Sequence, residues 1–312
     1  MSPSATESRQ LMTTSILRTA EGWWVQTADG AARIATPAAT TGELLSHRTA
    51  IDAAAHNAHT APIDSLRLVS PVTVPCRVVA QMTNFASHVK GAGMDPKTVP
   101  LTFFRKTAGS IHGPFDTIIK PTHVKLLDYE VEIGLVIGRD IPVGTEITES
   151  NLADFIAGLV VTNDISARDV QLTKTQFYEA KSYPTFTPVG PALVLLDADE
   201  LNRFSDLRLE LQVNGEVRQS MLVHGDMIYP PLQALQSLAR FQPLGTGDLI
   251  MTGTPAGTAL GTPPKPQELK AFLEREVSNP KYLQHGDILE VSIATDDGAI
   301  DLGTQRTAVR YA

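Results

Sequence analysis

Two glutamates one position apart, Glu130 and Glu132, interrupt the otherwise apolar run LLDYEVEIGLVIGR at 126–139. Residues two apart on a strand share a face, so both carboxylates project together, roughly 7 Å apart at Cα by twice the strand rise. Tyr129, Val131 and Ile133 then project to the other side. Two such charges in a partly desolvated place repel, and a positive charge between them relieves the repulsion. A hard divalent cation does this and requires further oxygen ligands. Asp164, which ends the apolar run of LVVTNDIS, offers one. Three carboxylates leave coordination positions open, and these suit a substrate with adjacent carbonyl and carboxylate oxygens, on which the cation acts as a Lewis acid. Spacing alone leaves a second possibility open, in which Glu130 and Glu132 form the solvated face of an edge strand beside surface lysines.

The elements that must position these groups are mostly strands. Apolar or alternating segments recur at DTIIKP, VEIGLVIGR, IAGLVVTNDI, ALVLLD, LRLELQVNGEVRQ, DLIMTG and the C-terminal DILEVSIATDDGAIDLGTQRTAVR. Asn214-Gly215 and Asp297-Gly298 mark hairpin turns. Helices are expected at 229–241, opened by prolines, and at 264–277. Many strands, few helices and no regular βα alternation predict a β-rich α+β fold. Before this, residues 15–36 alternate about Asp29-Gly30 and a helical stretch follows from about Gly42 to His59, a small α/β module. Pro71 and Pro75 place a boundary there, giving an N-terminal module at 1–74 and a larger domain at 75–312.

Composition narrows the function classes. With 26 basic and 34 acidic residues the chain of 312 carries a formal charge of −8, and it has no long basic run, which argues against a nucleic-acid or membrane-surface role. Small molecules or a second copy of the chain are the expected partners. The single Cys76 excludes an internal disulfide and fits a reducing, cytoplasmic setting. The Ser-rich N-terminus has Arg9 and Arg18 but also Glu7 and Glu21, and it lacks the apolar core of a signal peptide. Neither nucleotide-binding glycine signature nor H-E-x-x-H is found.

Five ordered motifs carry a resemblance: NFASH at 84–88, DYEVEIGLVIGR at 128–139, NDISARDVQ at 163–171, AKSYPTFTPVGP at 180–191 and GDLIMTGTPAG at 247–257. Over about residues 70–312 the chain resembles the fumarylacetoacetate hydrolase family. The resemblance implies a catalytic domain built on a mixed, rolled β-sheet, commonly dimeric, with Mg2+ or Mn2+ as cofactor. The family's metal ligands fall on Glu130, Glu132 and Asp164, its active-site lysine on Lys181, and its substrate-binding positions on Gln171 and Thr254 together with Lys181. Its catalytic histidine falls on His88, in a segment that often closes over the substrate. Arg168 is expected to form a structural ion pair with a neighbour such as Asp169, and Arg105 and Lys106 either to meet an anionic substrate group or to be surface charges.

The implied activity is metal-dependent hydrolytic cleavage of a carbon–carbon bond in a 1,3-dicarbonyl acid, such as an acylpyruvate or a fumarylacetoacetate-like compound. In that scheme His88 activates water and Lys181 stabilises the departing enolate. Two alternatives stay open: decarboxylation of oxaloacetate or keto–enol isomerisation of a hydroxy-dienoate with the same metal–enolate chemistry, and a non-catalytic homologue that binds small acids. One departure bears on the choice. In many hydrolase and decarboxylase relatives a glutamate three positions after the histidine orients it, and here Gly91 stands there. A second departure is the long segment at 258–287, whose helix could line the site or extend a dimer contact.

Overall fold

The run that carries the glutamates becomes the strand Val131–Ile137, buried along its whole length, and it pairs antiparallel with the equally buried strand Ile156–Asn163. A computed structural model describes residues 13–312; the segment 1–12, with Glu7 and Arg9, lies outside the described residues. Both central strands are covered on two faces, which explains why they read as almost unbroken apolar runs. Val131, Ile133, Leu135 and Ile137 join one apolar cluster with Leu209, Leu211, Leu289 and Val291 of a second sheet. Val136 and Val160 face the other way, among Val78, Leu249 and Met251. Each such side chain contributes on the order of 1.5–3 kcal/mol by leaving water. Gly134 lies between Glu132 and Val136 on that other face, where a Cβ would come within 2.6 Å of Val160 Cγ2 and 2.8 Å of Leu249 Cδ1. The close strand approach needs a residue without a side chain.

The larger sheet has ten strands in the order Thr60–Ala61, Gly30–Arg33, Gly22–Thr27, Thr14–Thr19, Leu193–Leu195, Ile156–Asn163, Val131–Ile137, Leu249–Met251, Val78–Met82 and Thr102–Lys106. The smaller has five, in the order Glu216–Leu222, Leu207–Val213, Ile288–Thr295, Asp301–Tyr311 and Ile118–Lys120. It packs on the central strands of the larger sheet. The fold is thus β-rich α+β, with parallel and antiparallel pairs in both sheets. Thr14–Thr19 pairs with Leu193–Leu195, so segments on both sides of the boundary expected near residue 75 share one sheet.

The helical stretch expected from about Gly42 to His59 consists of two helices, Thr41–Leu45 and Arg48–Ala55. Ser46 ends the first by turning its hydroxyl back to the Glu43 carbonyl at 2.7 Å, a local bond that competes with helix continuation. The proline-opened segment forms the helix Pro231–Leu238, and the one at 264–277 forms a 3-10 turn, Pro266–Glu268, followed by the helix Leu269–Glu276. Among the described residues no helix is long and apolar enough to cross a membrane.

Candidate active site

The two central strands end side by side, and their ends build the site. Immediately before Val131–Ile137, Glu130 donates its N–H to Asn163 Oδ1 at 3.0 Å and accepts the Asp164 N–H on its carbonyl at 2.8 Å. These bonds fix Glu130 opposite Asp164. Glu132 stands opposite Thr162 in the ladder. One carboxylate oxygen from each of Glu130, Glu132 and Asp164 lies within 4.8 Å of the others. All three residues are buried, which rules out the solvated edge-strand reading of the glutamates.

Three buried cations surround this cluster. Lys181 Nζ bridges Glu130 Oε2 at 2.6 Å and Asp164 Oδ2 at 2.7 Å. Its segment is pinned where the Ala167 N–H meets the Ala180 carbonyl at 2.8 Å. Lys106, at the end of the edge strand Thr102–Lys106, reaches the other oxygen of Asp164 and donates to the Phe186 carbonyl at 3.0 Å. The sheet therefore rolls far enough to bring its edge to its centre. Lys106 is neither a surface charge nor an anion receptor, because its ammonium is consumed inside the protein; Arg105 is exposed.

Arg168, the first residue of the helix Arg168–Lys174, is also spent within the site. It donates Nε to Asp128 Oδ2 at 2.8 Å, Nη1 to Gln171 Oε1 at 2.9 Å and Nη2 to Glu130 Oε1. The expected pairing with Asp169 does not occur, since adjacent helical residues do not face each other. Asp169 instead accepts the N–H groups of Lys125 and Leu126 at 3.0 and 3.2 Å. Asp128 also takes the Ala259 and Leu260 N–H groups at 2.8 and 3.0 Å, tying the loop after TGTPAG to the same network.

The charges are unevenly compensated. Burial pushes the Glu130 carboxyl up, but the Lys181 and Arg168 cations outweigh it and hold Glu130 well below the ordinary carboxylate range. Lys181 is raised, because Asp164 and Glu130 together overcome its burial. Lys106 is lowered, since burial exceeds the attraction of its one carboxylate partner. Glu132 is pushed well above the ordinary range, first by burial and then by the charges of Asp164 and Glu130. Among the described residues it accepts one hydrogen bond, from the Gly253 N–H at 2.8 Å, and forms no ion pair. A buried carboxylate with no cation, facing two more carboxylates, is the donor set of a hard divalent ion such as Mg2+ or Mn2+. The residues present fit that group.

Gly253 follows the strand Leu249–Met251 and has φ +84, a conformation in which its N–H reaches Glu132. A Cβ there would stand 2.9 Å from Asn84 Cβ. Gly253→Ala is therefore expected to lower stability by about 1–3 kcal/mol in urea denaturation. It should weaken Mg2+ binding in calorimetry as well, because the donor that orients Glu132 moves.

His88, Glu130, Glu132, Gln171, Lys181 and Thr254 line one cavity of about 740 Å3. Asp164 is not part of the lining but is bonded to Lys181, which is. His88 sits on the helix Ala86–Gly91, and burial pushes its imidazole below the usual histidine range, the nearby Glu130 charge acting the other way. The Thr254 hydroxyl accepts Gln219 Nε2 at 2.9 Å, and Gln219 Oε1 accepts the Val131 N–H at 3.0 Å. Gln219, Asp128, Asn163 and the inward role of Lys106 were not apparent from the sequence reasoning. The usable signals were small: Asp128 opens the DYEVE motif, and Gln219 is a buried amide on the strand Glu216–Leu222.

Residues 77–310 match the family model described as "Fumarylacetoacetate (FAA) hydrolase C-terminal". A mitochondrial oxaloacetate tautomerase of Rattus norvegicus is 32% identical over 235 residues, 74% of this chain and 67% of that one. A crystal structure of a probable 2-hydroxyhepta-2,4-diene-1,7-dioate isomerase from Mycobacterium abscessus superposes with a TM-score of 0.75 at 31% identity, covering 96% of this chain and 99% of the other. A fumarylacetoacetate hydrolase from Exiguobacterium antarcticum gives 0.70 at 28% identity, covering 96% and 100%.

Proposed function

The chain belongs to the fumarylacetoacetate hydrolase family, and from that premise we propose that it is a divalent-cation-dependent keto–enol tautomerase of a 2-oxo acid. The observation that carries this reading is the surroundings of His88. Gly91 stands one helical turn further on, at the position where a carboxylate would orient the ring, and a Cβ there would meet nothing within 4 Å. Similarity to the rat tautomerase and to the probable isomerase of Mycobacterium abscessus supports the same choice.

Glu130, Glu132 and Asp164 would hold the cation, Mg2+ or Mn2+, and when bound it supplies Lewis-acid polarisation of the 2-oxo oxygen. The chain's own residues handle the proton. His88, whose hold on a proton burial weakens, accepts a proton from the carbon next to the oxo group and returns it to oxygen. No carbon–carbon bond breaks and no water is consumed. Lys181 stays cationic beside this path and favours the enolate charge. Arg168 holds Glu130 in place, and Gln171 and Thr254 are proposed to orient the substrate.

The experiment is proton exchange in D2O. With Mg2+ and oxaloacetate, proton NMR should show enzyme-dependent loss of the C3 signal, and an acylpyruvate should release no pyruvate. Cleavage of the acylpyruvate faster than exchange would return the assignment to hydrolysis. Gly91→Glu separates the two further. The position is open and exposed, so stability should stay within about 0.5 kcal/mol. If the missing carboxylate is what withholds water activation, the variant should gain at least about tenfold in acylpyruvate cleavage with exchange little changed.

A further inference from the structure

We infer that the substrate is a 2-oxo acid with an aromatic or other bulky apolar group on the carbon next to the oxo group, and not a short dicarboxylate. The inference rests on the tautomerase reading and specifies the substrate class. Its first support is the wall beside the reacting end. Phe104 and Phe177 stack with ring centroids 5.1 Å apart, and the Phe104 ring centroid lies 5.4 Å from Lys181 Nζ. Both rings are half-buried in the cavity wall, joined there by Met82, Val99 and Leu260. The substituent next to the enolising carbon must lie near Lys181, so it meets aromatic faces there. Offset or edge-to-face contact with such rings contributes beyond simple burial.

The second support is charge. A distal carboxylate buried in this cavity requires a cation or several free donors. The buried cations of the site are already committed: Lys106 to Asp164, Lys181 to Glu130 and Asp164, Arg168 to Asp128, Glu130 and Gln171. The donors left in the wall are neutral: the Thr102 hydroxyl, the Gln171 amide, whose oxygen is taken by Arg168, and the second N–H of Gln81, whose first goes to the Tyr229 carbonyl at 3.3 Å; none brings a charge to offset a buried carboxylate. Apart from the cluster and His88, the charged residues that line the cavity are Asp95 and Lys281, opposite in sign and exposed. The third support is size. A cavity of about 740 Å3 lies within the range of roughly 300–1,000 Å3 typical of drug-sized ligands, and a four-carbon acid fills only a fraction of it.

Two measurements on the Mg2+-loaded enzyme test the inference separately from the reaction. In saturation-transfer NMR, the ring protons of phenylpyruvate should receive strong saturation, and Phe177→Ala should reduce it severalfold; the Phe104 ring is left intact in this variant. In C3 proton exchange, phenylpyruvate should give a kcat/KM at least tenfold above oxaloacetate, with Phe177→Ala raising KM for phenylpyruvate by a larger factor than for oxaloacetate. Strong ring saturation without exchange of either acid would support the apolar site and overturn the tautomerase reading. Exchange of oxaloacetate tenfold better than phenylpyruvate, or ring saturation unaltered by Phe177→Ala, would overturn the inference and leave the tautomerase reading standing.

Discussion

Glu132→Gln is expected to remove Mg2+-stimulated turnover by about three orders of magnitude while raising the melting temperature of the metal-free protein. The two effects come from one circumstance. Glu132 is the buried acid that no cation pairs, and Asp164 and Glu130 repel its charge. Glutamine keeps the shape and an oxygen for the Gly253 N–H but brings no charge. The fold loses a repulsion, and the cation loses a ligand whose contribution to polarising the substrate amounts to several kcal/mol, each 1.36 kcal/mol being tenfold in rate.

The pH dependence of stability fixes the sign. In the folded protein Glu132 holds its proton more tightly than in the unfolded chain. That contribution is fully present below the ordinary carboxylate range and is lost as pH rises through the raised value. The gap in melting temperature between Glu132→Gln and the wild type, both metal-free, should therefore widen from acid to neutral pH. Added Mg2+ should then close or reverse the gap by binding the wild type alone. Differential scanning fluorimetry across pH, with and without Mg2+, reads all three expectations. A variant less stable than the wild type at neutral pH without metal would contradict the unpaired carboxylate.

How much of this site could be read from the chain depends on how local each feature is. Glu130 and Glu132 were legible because a strand has period two and the surrounding run is apolar. Asp164 was legible because it ends the partner strand, and antiparallel pairing puts one strand's end beside the other's start. Arg168 was misjudged in its partner: sequence adjacency favours Asp169, whereas the helix turns the guanidinium toward Asp128 and Glu130, 40 and 38 positions away. Lys106 was opaque because its burial depends on the roll of the whole sheet, which carries an edge strand to a residue 58 positions distant. Gln219 comes from the other sheet altogether, and pattern within one strand says nothing about which side chain plugs a neighbour. The helical stretch expected at 42–59 is helical but interrupted, because the back-bonding hydroxyl of Ser46 competes locally with helix continuation.

Asp164→Ala should act in the opposite direction to Glu132→Gln and unfold the metal-free protein far more easily. Asp164 is the one carboxylate bonded to Lys106 and one of two bonded to Lys181, all with buried side chains. Its removal leaves Lys106 with the Phe186 carbonyl and no counter-ion. Breaking a buried pair from one side typically costs about 3–5 kcal/mol, because the surviving charge stays desolvated. Lys181 retains Glu130 and suffers less. If Lys106 is the source of the loss, Lys106→Met introduced into Asp164→Ala should recover a large part of it, since the methionine stem fills similar space without a charge. Activity should not return with the fold, because the double variant still lacks a cation ligand. Urea denaturation of the wild type, both single variants and the double variant gives the coupling energy directly. A coupling near zero would mean that Lys106 and Asp164 do not depend on each other, and the charge arrangement proposed for this site would fail with it.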